Sequence, residues 1–359
     1  MKKKLLSLAL ATGMVFTMAA CGTPKAAPTP TAAPAPTVGT EPTATPAPTY
    51  TPATVRVAYM PNMGSASTLF TGIEQGYFEE VGLTVETTQF QGGPPEIAAM
   101  ASGDIDIAQI GHGAHALCIE GQAVIVHMDQ TSLADSVVGN KSKGVNTAAD
   151  LKGKTIAMST GTSSEILLQL ALADAGLTMA DVNTVEMDAN GIVTAMSSGQ
   201  VDACATWSPG TLTIAGALGD NYVKIANNAD YVDKVTFPSS FITTADYADK
   251  NNDVLVRFCQ ALYKAQAYRA THIEDVAKLL AKKLELPEET MLQSTGEGNW
   301  LTPDFFKTAI GDGTIKKYYE NQQQVFIDGG RITTPVPVEN YVRFDVMQQA
   351  IEAYTAANP

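Results

Sequence analysis

The residues best suited to chemistry stand together at Ser159-Thr160-Gly161-Thr162-Ser163-Ser164. They lie between a short apolar run, Thr155 to Met158, and an amphipathic stretch from about Glu165 to Ala175 that Gly176 closes. Strand, polar turn and helix is the reading this spacing favours, with Ser or Thr capping the helix and Glu165 near the positive end of its macrodipole. Such a turn offers backbone N–H groups and hydroxyls to a small anion or polar headgroup. The same pattern also describes a well-capped junction with no ligand, and spacing alone leaves both readings open.

No other set of residues makes a reactive centre by spacing. His112 and His115 have no Cys, Asp or Glu placed to complete a metal site, Glu120 being too far along. Cys118, Cys204 and Cys259 are odd in number and widely separated, so buried thiols are expected rather than disulfides or metal ligands. There is no Walker motif and no recognisable nucleophile–base pair, and no cofactor or metal is expected.

The elements around the turn alternate. Val55 to Tyr59 reads as a strand, followed by a loop over Met60 to Ser65 and a helix from about Ser67 to Gln75. Leu83 to Thr88 is a second strand, and Gly92-Gly93-Pro94-Pro95 opens a helix through Met100. Ile105 to Ile110 is a third strand, leading through Gly111-His112-Gly113 into a third helix, and Val124 to Met128 is a fourth. After a polar segment, Asn140 to Gly144, the pattern resumes with the opening turn, a strand at Thr184 to Met187, a helix at Gly191 to Ser198 and a strand at Val201 to Thr206. This is the signature of βαβ units on mainly parallel sheets. Two phrases echo, Met100-Ala101-Ser102-Gly103-Asp104-Ile105-Asp106 and Met196-Ser197-Ser198-Gly199-Gln200-Val201-Asp202, which predicts two similar lobes. Beyond Thr243 the chain reads as helices that return to the first lobe. The two passages between lobes are expected near 139–146 and 232–240, giving a first lobe of 54–138 with 240–359 and a second of 139–239.

The chain has 359 residues and a formal net charge of −14. The acidic balance argues against a nucleic-acid partner. Residues 1–21 read as an export signal: Met1-Lys2-Lys3-Lys4, an apolar run from Leu5 to Ala19, then Ala20-Cys21. Met18-Ala19-Ala20-Cys21 resembles a bacterial lipobox, with Met where Leu is usual, and predicts lipidation of Cys21. Residues 22–53 hold nine of the 19 prolines among Thr and Ala, the composition of an extended spacer. A lipoprotein held by this tether on the outer face of the cytoplasmic membrane is expected.

Three ordered segments, Gly92 to Gly111, Leu151 to Leu177 and Ala189 to Pro209, resemble the solute-binding proteins of bacterial ABC importers for aliphatic sulfonates, taurine and nitrate. The resemblance runs from about Val55 to Ala270 and extends to binders of thiamine precursors. It implies the type II periplasmic-binding-protein fold, two α/β lobes joined by two hinge crossovers with a helical C-terminal segment on the first. It implies a monomeric, non-enzymatic receptor that delivers a small solute to a membrane permease and its ATPase. On the first lobe it places the ligand at Met60, Asn62 and Ser67, at Gly92 and Gly93, and at Gly111, His112 and Gly113. On the second it places it at Thr160, Gly161, Thr162 and Ser163, at Asp188 and Asn190, and at Trp207 as an aromatic wall. Asp188 also suits a helix cap, and Trp207 and His115 also suit packing. An acid at Asp188 fits an amine better than an oxyanion, and no arginine falls in the implied cleft, so sulfonate, heterocycle and amine all stay open. The rivals are a cofactor-precursor enzyme on the same fold, using His112 with Asp188, and a tethered sensor without a transporter.

Overall fold

A computed structural model of the chain describes residues 50–358. The expected export signal, the lipidation site Cys21 and most of the spacer lie outside the described residues.

Eleven strands form two sheets among the described residues. The first contains β1 (Ala53–Tyr59), β2 (Leu83–Gln89), β3 (Ile107–Ile110) and β4 (Val124–Ser132). The second contains β5 (Asp135–Asn140), β6 (Thr155–Met158), β7 (Asn183–Glu186), β8 (Ala203–Trp207) and β9 (Tyr222–Asn227). The chain then returns to the first sheet with β10 (Pro238–Thr243) and β11 (Gly298–Asn299). The orders are β11-β4-β10-β3-β1-β2 and β7-β6-β8-β5-β9. Leaving β11 aside, the two sheets share one plan: a parallel trio, then an antiparallel strand inserted beside its third member. That inserted strand, β10 in one sheet and β5 in the other, is in each case the first strand after a passage between sheets.

The echoed phrases perform one task twice. Gly103 and Gly199 end their helices at φ +82° and +73°, a backbone region that favours glycine. The aspartate that follows then ties the third strand of its parallel trio to the first. Asp106 accepts the Arg56 backbone N–H at 2.8 Å and its guanidinium at 2.6 Å, and Asp202 accepts the Thr155 N–H at 2.9 Å.

The expected lobe boundary needs correction. Asp135–Asn140 is fully buried and hydrogen-bonded to β8 and β9, so the first passage is Leu133-Ala134, ahead of the expected 139–146. The polar segment read as a crossover is a tight turn, Lys141–Lys143, inside the second sheet's half. The second passage, between β9 and β10, overlaps the expected 232–240. A turn rich in Asn, Lys, Ser and Gly looks the same in sequence whether it joins two strands of one sheet or two sheets.

The C-terminal helices pack on the first sheet. Asn252–Thr271 and Phe344–Ala357 bring Leu255, Phe258, Leu262, Tyr263, Val346 and Ile351 into the same core as Val55, Val57 and Ile107. The second sheet has a separate apolar core on each face, one around Leu167, Leu168 and Leu172 and the other around Ile192, Met196 and Ile214. Cys118, Cys204 and Cys259 are free and buried. Among the described residues no helix is long and apolar enough to cross a membrane.

Candidate functional site

A cavity of about 50 Å³ lies where the carboxyl ends of the parallel strands of both sheets converge. The loop after β1 brings Met60, Asn62, Gly64 and Ser65. Asn62 caps the helix Met63–Glu74 by accepting the Ser65 N–H at 2.8 Å, and Ser65 Oγ accepts the Met60 N–H at 2.9 Å, so the loop is fixed before any solute arrives. Strands β3, β4 and β10 add Gln109, Gln130, Ser132 and Ser239. From the second sheet come Asp135 at the start of β5, Thr162 and Ser163 at the start of the helix Ser163–Asp174, and Trp207 at the end of β8.

The cavity carries one acid among neutral amides and hydroxyls. Gln109 donates its Nε2 to the Gly64 carbonyl at 3.4 Å, and its buried Oε1 has no protein partner. Gln130 stands with Nε2 beside Gly64 and with its buried, unpartnered Oε1 against Gly298 of β11. Asp135 is 1% exposed; its carboxylate accepts the Ser163 hydroxyl and its N–H donates to Asn228 Oδ1 at 2.7 Å. Burial raises the Asp135 carboxyl to about 6, only partly offset by its bonds with Ser163 and Asn228. No Lys or Arg lines the cavity among the described residues.

The loop ahead of the helix Ser163–Asp174 has its own N–H groups occupied, and the start of the helix Gly93–Ser102 is stripped of donors. Glu165 Oε2 takes the Gly161 N–H at 2.7 Å and Glu186 takes the Thr160 N–H at 3.0 Å. Thr162 does not cap its helix; its hydroxyl is spent on the Ser159 carbonyl at 2.7 Å and Ser164 Oγ at 3.0 Å. The helix Gly93–Ser102 has prolines at 94 and 95, which carry no N–H, so its first turn offers few donors.

Of the residues expected at the ligand, Met60, Asn62, Gly93, Gly111, Thr162, Ser163 and Trp207 line this cavity. Asn190 lines a neighbouring one that Trp207 also lines. The others stand elsewhere. Ser67 is fully buried under Arg269, whose Nη1 donates to its hydroxyl at 2.7 Å. Asp188 is a cap, accepting the Gly191 N–H at 2.7 Å for the helix Ala189–Ser197. His112 is buried with its ring 4.8 Å from that of Phe237, and burial with the adjacent His115 lowers it to about 3. Gly92 is an extended cap facing the Thr162 side chain, Gly113 lies against the Thr162 backbone, and Thr160 and Gly161 turn toward the two glutamates. The acid of the cavity is therefore Asp135, which sequence reasoning missed together with Gln109 and Gln130. Only the polarity of Gln109 and Gln130 inside apolar strands signals them in sequence.

Comparison with known proteins identifies the family. A model described as NMT1/THI5 like matches residues 65–275. The chain belongs to the NMT1/THI5-like family. A binding protein of Brucella abortus is 30% identical to this NMT1/THI5-like chain over 291 residues, 81% of the chain and 90% of the relative. An aliphatic sulfonates-binding protein of Bacillus subtilis is 25% identical, over 81% and 87%. The alkanesulfonate-binding protein SsuA from Xanthomonas axonopodis pv. citri, solved bound to MOPS, superimposes with a TM-score of 0.65 at 22% identity, covering 81% of this chain and 98% of that one. The fold is that of the periplasmic binding proteins, as the family resemblance implied.

Proposed function

We propose that this chain is the extracytoplasmic solute-binding subunit of an ABC importer, anchored through Cys21, and that its solute presents N–H donors, as a small amine or amino-substituted heterocycle does. The observation that carries the ligand class is the Asp135 carboxylate in a cavity without a cationic side chain among the described residues. A buried carboxylate is costly when unpaired and is satisfied by a donor-rich ligand. A bare oxyanion would meet the negative Asp135 and no cation among the described residues. Trp207 and Met60 supply apolar wall for the remainder of the solute.

Contacts from both sheets give the closed form its differential affinity, which is what a receptor needs to signal occupancy to a permease. An enzymatic use is less well supported: the Ser163 hydroxyl bonds Asp135 directly, while the nearest histidine candidate, His112, packs on Phe237.

A second reading is a zwitterion. Taurine, named for one relative from Escherichia coli, carries an ammonium that suits Asp135 and a sulfonate that suits the start of the helix at Ser163.

Thermal unfolding in the presence of short amines, aminopyrimidines, taurine, alkanesulfonates and nitrate tests both readings. A ligand at about 100 times its Kd adds roughly 2.7 kcal/mol, a shift of a few degrees. Shifts with amines or heterocycles, lost in Trp207→Ala, support the proposal; a shift with taurine alone selects the second reading. Shifts with nitrate or simple sulfonates alone would overturn the ligand assignment and keep the receptor.

A further inference from the structure

Trp207 lines two cavities. Beside the first lies a second of about 100 Å³, which Asp135 does not line and which shares only Met60 and Trp207 with the first. Its remaining walls come from both halves of the molecule and from the helical segment: Pro61 and Gln91, then Asn190, Val193 and Thr206, and finally Leu286. None of its lining residues carries a charge.

One atom in this cavity is unexplained by the fold. Thr206 is 1% exposed, lines the cavity, and its Oγ1 has no hydrogen-bond partner. A buried hydroxyl without a partner is destabilising, and a rotation of the Thr206 side chain would offer it to a solute or water in the cavity. Asn190 and Gln91 add amide groups, and Val193, Leu286, Met60 and the Trp207 indole add apolar surface.

We propose that this cavity is a second chamber of the cleft, which receives an uncharged, largely apolar tail of the solute ending in a hydroxyl or similar group, while the head sits against Asp135. The proposal rests on the receptor reading above and adds that the natural solute is longer than the inner cavity. Trp207 is then the partition that the tail crosses, touching head and tail on its two faces, and Met60 is the floor common to both.

The probes are two homologous series measured by titration calorimetry with the full chain: n-alkylamines from ethylamine to octylamine with their ω-hydroxy counterparts, and alkanesulfonates from ethane- to octanesulfonate. Once a chain passes Trp207, each added methylene is expected to tighten binding roughly fourfold until the outer chamber is filled. Val193→Phe, which fills the outer chamber, should flatten that rise and leave the shortest member unchanged. Thr206→Val, nearly equal in shape, should remove the advantage of the ω-hydroxyl and leave the plain alkyl series intact. If the rise appears only with sulfonates and Val193→Phe flattens it, the second chamber stands and the amine head fails. A flat wild-type response in both series, a rise indifferent to Val193→Phe, or silence of all probes overturns the second chamber.

Discussion

Gly113, in the turn after β3, abuts the backbone of Thr162 at the start of the second half's helix. A methyl group on Gly113 would overlap the Thr162 carbonyl and the Ser163 nitrogen. The neighbouring Ile166 of that helix is packed into the first sheet's core. The two halves therefore meet backbone to backbone beside the cavity, at a point where no side chain can yield. Gly113→Ala should hold the halves apart at a cost of about 1–3 kcal/mol in the closed form. Circular dichroism should show the fold retained, and small-angle scattering should show a larger radius of gyration in the presence of ligand. Affinity should fall at least about tenfold. Unchanged scattering and affinity would remove this contact from the closing mechanism.

Asp135 should make binding and stability respond to pH in opposite directions. Between its ordinary value of 3.8 and about 6 the folded chain holds a proton that the unfolded chain has released. Stability due to this group is thus greatest at low pH and declines by about 3 kcal/mol as pH rises through that window. An ammonium ligand needs the ionised carboxylate, so its affinity should rise with pH up to about 6 and level off above. Asp135→Asn should be more stable than the parent at pH 8 in urea unfolding, and its amine binding should be weak and flat with pH. Amine affinity that is insensitive to pH in the parent would exclude Asp135 from the contact.

Three histidines act the other way. Burial lowers His112 to about 3, His115 to about 4 and His127 to about 3. Their stabilising share is present above their ordinary value of 6.5 and is lost as pH falls toward 3–4, because the unfolded chain binds protons that the folded chain refuses. Burial also raises the carboxyls of Glu96 and Glu297, which with Asp135 oppose the histidines, so the histidine share is read as the difference between the parent and a histidine variant. His127 lies among Phe241, Tyr263 and Phe306 with both ring nitrogens unpartnered. His127→Phe should blunt the acid loss without altering ligand affinity at pH 7, as urea midpoints at pH 7 and pH 4 would show.

Arg269 and Asp129 form a fully buried ion pair at 3.2 Å in the first half, with Arg269 also donating to Ser67 and lying 4.8 Å over the Trp300 ring. Arg269→Met leaves Asp129 charged, buried and without its cation, and should cost about 3–5 kcal/mol. Joint replacement with Asp129→Leu should recover most of that loss, and a double-mutant cycle by urea unfolding measures it.

Local chemistry was legible where it was local. The helix Ile273–Leu284 lies in the stretch beyond Thr243 that reads as helical, because its apolar positions recur at helical spacing. Cap residues are harder: Asn62 caps a helix that begins at Met63, four residues before the expected Ser67, since an Asn after a proline reads equally well as loop. Strand β5 is not foreseen, because a strand buried between two others carries no alternation to reveal it, and its edge partner β9 is missed with it.

The sequence by itself determined the alternation of strands and helices, the two echoed halves with their paired aspartates, and most of the cavity's loops, because these depend on neighbours in the chain. Tertiary structure alone decided which acid faces the solute. Asp188 had the better local setting, yet its carboxylate is consumed by its own helix, whereas Asp135 is carried into the cavity by a strand inserted between β8 and β9. Its partner Asn228 is 93 residues away, and the glutamines that line the same cavity come from the other sheet. Burial of a charge beside groups distant in sequence is a property of the packed sheets, and no spacing along the chain encodes it.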